Sequence, residues 1–247
     1  MTLRLLSYNI RYGGVGRETA LSAVINAASP DIVIFQEATR PAVVEQVARQ
    51  TGMVQWGSQR GRSLGYMSRR PLAHVEWHKP RLSRHAYLEI VPDGVQWCVF
   101  GVHLSAVHAA WTERRRQYEL RTMLAAIDRR QPGPHALIGD FNTVAPGEVF
   151  DPYRLPPRLR ALVWLSGGRV RWRTIQTILD AGYIDAFRYL QPDVVGSTFL
   201  TSDPHIRLDY LFVPGACAAG VRSCNVVTAA QTKEASDHFP LVAELDV

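Results

Sequence analysis

The sequence predicts an α/β fold built as one domain, and three observations predict it. Short apolar or alternating runs recur along the chain and are separated by stretches of helical period. No repeat, low-complexity tract or linker-like composition divides the chain. Its 247 residues, 47% hydrophobic and 20% charged, have the size and composition of an ordinary globular domain.

The elements follow in order. Residues 3–8 and 31–35 read as strands, with a helix over 17–28 between them. Pro41 suits the first turn of a helix over 41–50, and Gly52 suits its stop. Weaker strand signals at 64–68, 74–77 and 87–91 precede a strong one at 96–104. The clearest helix covers 112–128, where Leu120, Leu124 and Ile127 recur at helical spacing; Thr112 is its expected N-cap and Pro132-Gly133 its end. A strand at 135–138 follows. From 144 to 168, Pro146, Pro152, Pro156 and Pro157 interrupt any period, which predicts a long irregular excursion before a helix over 172–181. Strands at 208–213 and 241–247, with a weaker one at 222–227, complete the chain.

Residues 1–9 enter an apolar run containing Arg4 without a basic leader or cleavage pattern. No apolar stretch approaches the roughly 18 residues needed to span a bilayer. The expectation is a cytoplasmic protein, monomeric by default. Cys98, Cys217 and Cys224 lack metal-ligand spacing and are expected to be reduced thiols. Net charge is +6, and only Lys79 and Lys233 among the 28 basic residues are lysines. Arginine favours bidentate contact with phosphate oxygens, which suits a polyanionic partner such as nucleic acid. Genome composition or heat adaptation accounts for the same bias equally well.

More informative is where polar residues fall relative to the strands. Asn9, Glu37, and Asp140 with Asn142 each follow a predicted strand; His103 lies near the end of another. Asp209 begins a strand, and Asp237 and His238 stand just before the last one. Charged groups at the ends of buried strands can meet at one rim. Hard cations such as magnesium take oxygen ligands, so Glu37, with Asn9 and Asp237 beside it, is the expected metal set. Asp140 and Asn142, two apart, would face the same way in an extended segment and orient an attacking water. His238 would donate to a phosphoryl oxygen, kept charged by a carboxylate such as Asp209. Taken singly each residue has a plainer role: Asp140 and Asn142 as turn formers, Asp237 as a cap, His238 as a structural ring, Glu37 as a partner of the helix at Pro41.

Taken together they occur in a recognisable order. Ser7-Tyr8-Asn9, Phe35-Gln36-Glu37, Val102-His103-Leu104, Gly139-Asp140-Phe141-Asn142, Arg207-Leu208-Asp209-Tyr210 and Ser236-Asp237-His238 resemble the endonuclease/exonuclease/phosphatase superfamily across nearly the whole chain. The resemblance implies a four-layer α/β/β/α sandwich of two mixed sheets, dependence on Mg²⁺ or Mn²⁺, and hydrolysis of a phosphoester. It implies Glu37 as main metal ligand with Asn9 beside it, and Asp237 at or next to the metal. It further implies Asp140 and Asn142 at the water and phosphate, an Asp209–His238 pair, and His103 at the scissile phosphate. Residues 61–71, with Ser68, Arg69 and Pro71, match a further stretch of the pattern. Two positions depart from it. Arg11 stands where abasic-site endonucleases carry an acid, and no acid lies between Glu45 and Glu76 to pair with His103.

The preferred substrate reading is DNA. Arg69, Arg169, Arg171 and Arg173, with Trp164 nearby, are the expected substrate-binding residues, since arginine beside aromatics binds phosphate and stacks on bases. A small or lipid phosphoester is the alternative, with the apolar stretch 155–165 touching a membrane surface or walling a pocket. A non-catalytic binding protein is the remote one, because every core position is filled.

Overall fold

Strand β1 (Thr2–Asn9) is buried on both faces, and this dictates a layered architecture. Leu3 and Leu5 point to one side, Leu6 and Tyr8 to the other, and all four are fully buried. A strand covered on both faces needs a second sheet or a helix layer on each side.

The computed structural model describes residues 1–106, 110–131, 133–148, 151–165 and 171–247. After β1 come α1 (Glu18–Ala28), β2 (Ile32–Gln36), α2 (Pro41–Thr51), β3 (Gln55–Ser58), β4 (Gly65–Ser68), β5 (Leu72–His78) and β6 (Tyr87–Pro92). Next are β7 (Cys98–His103), α3 (Ala110–Arg130), β8 (His135–Asp140), α4 (Pro157–Leu165), α5 (Arg173–Asp180), β9 (Tyr183–Asp185) and α6 (Ala186–Leu190). The chain closes with β10 (Asp209–Pro214), β11 (Val221–Val226), α7 (Ala230–Ala235) and β12 (Leu241–Asp246).

The described strands form two six-stranded mixed sheets, ordered β11-β12-β1-β2-β4-β3 and β5-β6-β7-β8-β10-β9. Leu3, Leu5, Ile32 and Ile34 from the first sheet and Ile90, Val99, Ile138 and Leu211 from the second fill the space between them. On the outside of the first sheet, Leu6, Tyr8, Val33 and Phe35 pack against α1, α2 and α7. On the outside of the second, Phe100, Leu137 and Phe212 pack against α3 and α5. The result is the four-layer α/β/β/α sandwich.

Each sheet has one parallel pair near its centre, β1 with β2 and β7 with β8. A parallel pair needs a crossover, and the crossovers contain α1 and α3. Gly52 caps α2 in the left-handed conformation, φ 65°, as expected of a helix stop.

Several expectations need correction. Helix α3 begins at Ala110, so Thr112 lies inside its first turn and is not the N-cap; Pro132 lies outside the described residues. The proline-rich stretch contains helix α4, whose first residue is Pro157. Proline at that position loses no hydrogen bond, because the first N–H groups of a helix have no partner within it. The short elements β3, β9, α6 and α7 carry too few residues to show a period in the sequence. The three cysteines are free, with Cys98 and Cys224 buried. Among the described residues, no helix is long and apolar enough to cross a membrane.

Candidate active site

Period-two alternation brings the polar residues together. On β1 the inward series Leu3, Leu5, Ser7 ends in Asn9; on β7 Val99 and Gly101 lead to His103; on β8 Ala136 and Ile138 lead to Asp140. All three are the last residues of strands belonging to the two parallel pairs, so they emerge at one rim between the sheets. Strand β10 runs antiparallel to β8 with Asp209 opposite Asp140, so its first residue reaches the same rim. Strand β12 runs antiparallel to β1 with Leu241 opposite Ser7, which delivers residues 236–238 there as well. Gly139 permits the close approach of β7 and β8, since a Cβ at that position would lie 1.9 Å from the Val102 carbonyl oxygen.

Asp140 is the hub. Its Oδ2 accepts from Asn9 Nδ2 at 3.0 Å and its Oδ1 from the Asn142 N–H at 2.8 Å. Asn142 Nδ2 donates to the Leu104 carbonyl at 3.1 Å. The same Oδ2 lies 3.9 Å from Nε2 of both His103 and His238. His238 Nδ1 donates to Asp209 Oδ2 at 2.9 Å, and the Phe199 ring lies against the imidazole. Thr198 Oγ1 accepts from the Leu208 and Asp209 N–H groups. Ser236 Oγ ties the last loop to the Asn9 carbonyl at 2.6 Å. The other Asp209 oxygen, Oδ1, is buried with no hydrogen-bond partner among the described residues.

The electrostatics separate the two rings. Burial, then repulsion from Asp209, pushes Asp140 up to about 7. Burial opposes charge on His238, but Asp209 and then Asp140 and Asp237 outweigh it and raise the ring to about 10. For His103, burial and the neighbouring His85 and His238 hold the pKa well below the usual histidine value. At neutral pH a cationic His238 and a neutral His103 therefore face one carboxylate.

The three expected metal ligands meet at the turn Arg11-Tyr12. Tyr12 N–H donates to Glu37 Oε2 at 2.6 Å, Arg11 N–H donates to Asn9 Oδ1 at 3.0 Å, and Arg11 Nε sits 3.2 Å from Asp237 Oδ2. Arg11, Tyr12, Glu37 and Asn142 all have positive φ, between 45° and 58°, and are four of the six described non-glycine residues that do. Backbone strain of this kind concentrates where side chains must be aimed against local preference. Glu37, Asn9 and Asp237 offer an all-oxygen donor set, which fits a hard divalent cation. The buried group Asp140, Asp209 and His238 also has donor atoms within 4.8 Å of one another, but there the ring already bonds Asp209.

Beyond Asp140 at its Nε2, His103 has a partner at Nδ1 that is a serine hydroxyl. Ser63 Oγ bonds His103 Nδ1 and accepts the Glu37 N–H at 3.2 Å, and His85 stacks on the ring at 4.9 Å. A serine in a turn gives no signal along the sequence. Ser63→Ala is expected to lower kcat roughly tenfold while shifting Tm by only a few degrees, since one orienting hydrogen bond is worth about 1 kcal/mol. Steady-state kinetics beside thermal melts check this.

Of the expected substrate-binding residues, Arg69 is misplaced. Ser68 pairs with Ile32 at the start of β2, the end opposite Glu37, and Arg69 Nε is spent on the Pro30 carbonyl at 3.1 Å. Arg69 therefore lies away from the rim that gathers the other site residues. Arg171 flanks the rim, because its carbonyl accepts from Thr143 Oγ1, one residue beyond Asn142. Arg173 opens α5 and is exposed. Trp164 is 74% exposed on α4, whose Val163 packs with Phe199 and Leu208 beside the centre. Arg169 lies outside the described residues.

Residues 6–238 match the model of the Endonuclease/Exonuclease/phosphatase family. No curated protein matches the chain significantly. Among solved structures, a 3′ phosphatase from Neisseria bound to product DNA hairpin is similar at 20% identity and TM-score 0.74, over 99% of this chain and 100% of that one. An AP endonuclease from Archaeoglobus fulgidus is similar at 18% identity and TM-score 0.75, over 99% and 100%. An endonuclease/exonuclease/phosphatase from Beutenbergia cavernae is similar at 22% identity and TM-score 0.73, over 100% and 72%.

Proposed function

The chain belongs to the Endonuclease/Exonuclease/phosphatase family, and on that premise we propose that it is a divalent-metal-dependent phosphodiesterase acting on nucleic acid, with DNA as the preferred substrate. The observation that carries the chemistry is the charged His238, braced by Asp209 and 3.9 Å from an Asp140 whose pKa is near neutrality.

In this reading Asp140 and Asn142 orient a water, and Asp140 takes its proton as the oxygen attacks phosphorus. A general base works best with a pKa near the operating pH, and burial beside Asp209 puts Asp140 there. His238 donates a hydrogen bond to a phosphoryl oxygen as the P–O ester bond breaks, the departing oxygen takes a proton from solvent, and Asp209 keeps the ring charged and aimed. Neutral His103 hydrogen-bonds the scissile phosphate, held by Ser63. Mg²⁺ or Mn²⁺ held by Glu37, Asn9 and Asp237 would neutralise phosphate charge. Residues 1–247 act together as one catalytic domain.

DNA is favoured by the similar Neisseria protein bound to a DNA hairpin, the Archaeoglobus AP endonuclease, and the exposed Arg171 and Arg173 beside the rim. A panel of single-stranded, double-stranded and abasic DNA, RNA, phosphoinositides and sphingomyelin, with Mg²⁺ and Mn²⁺, tests the proposal. DNA should be cleaved, with affinity falling steeply as salt rises, because contacts to phosphate release counterions. A flat salt response, or turnover of lipids alone, would reject DNA.

One observation favours a lipid phosphoester instead. Trp164 and Leu165 are 74% and 67% exposed at the end of α4, as a membrane-touching tip requires. Liposome binding abolished by replacing both with serine would support that reading, and absence of liposome binding would end it.

A further inference from the structure

A second group of ligand-type side chains lies on the outer face of the second sheet, on strands β5 and β6. His74, Glu76 and His78 alternate along β5 and so share one face, while Val75 and Trp77 turn inward against the core between the sheets. Glu89 on β6 is directly opposite Glu76 in the antiparallel ladder. Two carboxylates directly opposite each other repel, and such a pair calls for a cation between or beside them.

The geometry points to a zinc site formed by His74, Glu76 and Glu89 across strands β5 and β6. One donor atom from each of the three lies within 4.8 Å of the others. Donors about 2.0–2.2 Å from a tetrahedral zinc stand roughly 3.4 Å apart. The remaining difference is within side-chain rotation, because His74 and Glu76 are exposed. Glu89 is 8% exposed and already fixed, since His78 Nε2 bonds its carboxylate at 2.5 Å. His78 is fixed in turn by stacking on Tyr87 and by Arg130 at its Nδ1, 3.2 Å away. This is the arrangement in which a second residue orients a metal-binding carboxylate. Arg130 reaches His78, and among the described residues the exposed Glu76 has only histidine rings beside it, His74 Nε2 at 3.5 Å and His78 Nδ1 at 3.6 Å. A cleft of about 300 Å³ lined by Glu76, His78, Lys79, Tyr87, Arg129 and Arg130 opens on the Glu76 side of the cluster.

The donor chemistry selects the metal. An imidazole nitrogen with two carboxylates prefers zinc to magnesium or manganese, which favour oxygen alone. Bound there, zinc would staple β5, the edge strand of its sheet, to its neighbour β6.

The test is competition against a chromophoric zinc indicator with the full chain, in excess Mg²⁺ to occupy the oxygen donors at the catalytic rim. One zinc per chain should bind, and His74→Ala and Glu76→Gln should each weaken it by about 100-fold. Both side chains are exposed, so circular dichroism should show both variants folded. Zinc should raise the Tm of the wild type and leave that of His74→Ala unchanged. Zinc held at the catalytic rim would be indifferent to His74, so identical titrations of wild type and both variants would overturn the proposal, as would a wild type that takes up no zinc.

Discussion

Replacing His238 with alanine, or Asp140 with asparagine, is expected to lower kcat by about 10²–10⁴-fold, the range for losing a positioned acid or base. The two substitutions remove different roles, the base that takes the proton of the water and the cation that donates to a phosphoryl oxygen. His238→Ala takes away the cation 3.9 Å from Asp140 and leaves the buried Asp209 carboxylate unpaired, so a lower Tm accompanies the lost turnover. Asp140→Asn keeps the shape and an acceptor for Asn9 or Asn142 but cannot take a proton. Its Tm should be close to that of the wild type, or above it, because a buried carboxylate beside Asp209 is replaced by a neutral amide. Single-turnover kinetics with Mg²⁺ and Mn²⁺, with circular dichroism on the same preparations, check both. Near-normal turnover in either variant would overturn the assignment of the site.

The largest effect on stability is expected from Arg207→Met. Arg207 is 2% exposed. Its Nη1 and Nη2 donate to the two oxygens of Asp185, at 2.9 and 2.5 Å, and its Nε donates to Glu148 Oε1 at 2.8 Å. The guanidinium also lies over the Tyr210 ring at 4.4 Å. Burial opposes the charge, yet Tyr210, Asp185 and Glu148 raise its pKa above the usual arginine value. Methionine fills much of the volume but strands the Asp185 carboxylate, which also caps α6, and leaves Glu148 with Arg188 alone, at 3.2 Å. Breaking a buried pair from one side costs about 3–5 kcal/mol. At roughly 2–4 °C per kcal/mol for a chain of this size, Tm should fall by about 6–20 °C. A shift under about 2 °C would show that the network adds nothing to stability.

The candidate site was legible to different depths. Asn9, Glu37, Asp140, Asn142, Asp209, Asp237 and His238 stood out because strand ends carrying polar residues are visible in one dimension. Ser63 did not, since a turn serine looks the same whether or not a histidine lies above it. Arg11 was visible only as a departure from the family pattern; that its guanidinium faces Asp237 depends on a left-handed backbone at Arg11 and Tyr12.

The sequence by itself determined the alternation of strands and helices and the order of the chemical residues, because period, caps and spacing are local properties. Which strand end lies at which rim was decided by the tertiary structure alone. Arg69 shows why: like Glu37 and Asp140 it follows a strand, and along the chain the three positions are equivalent. Strand β2 runs parallel to β1, whereas β4 runs antiparallel to β2, so Glu37 emerges at the catalytic rim and Arg69 at the opposite end. Strand direction is set by pairing between distant segments, and no local signal records it.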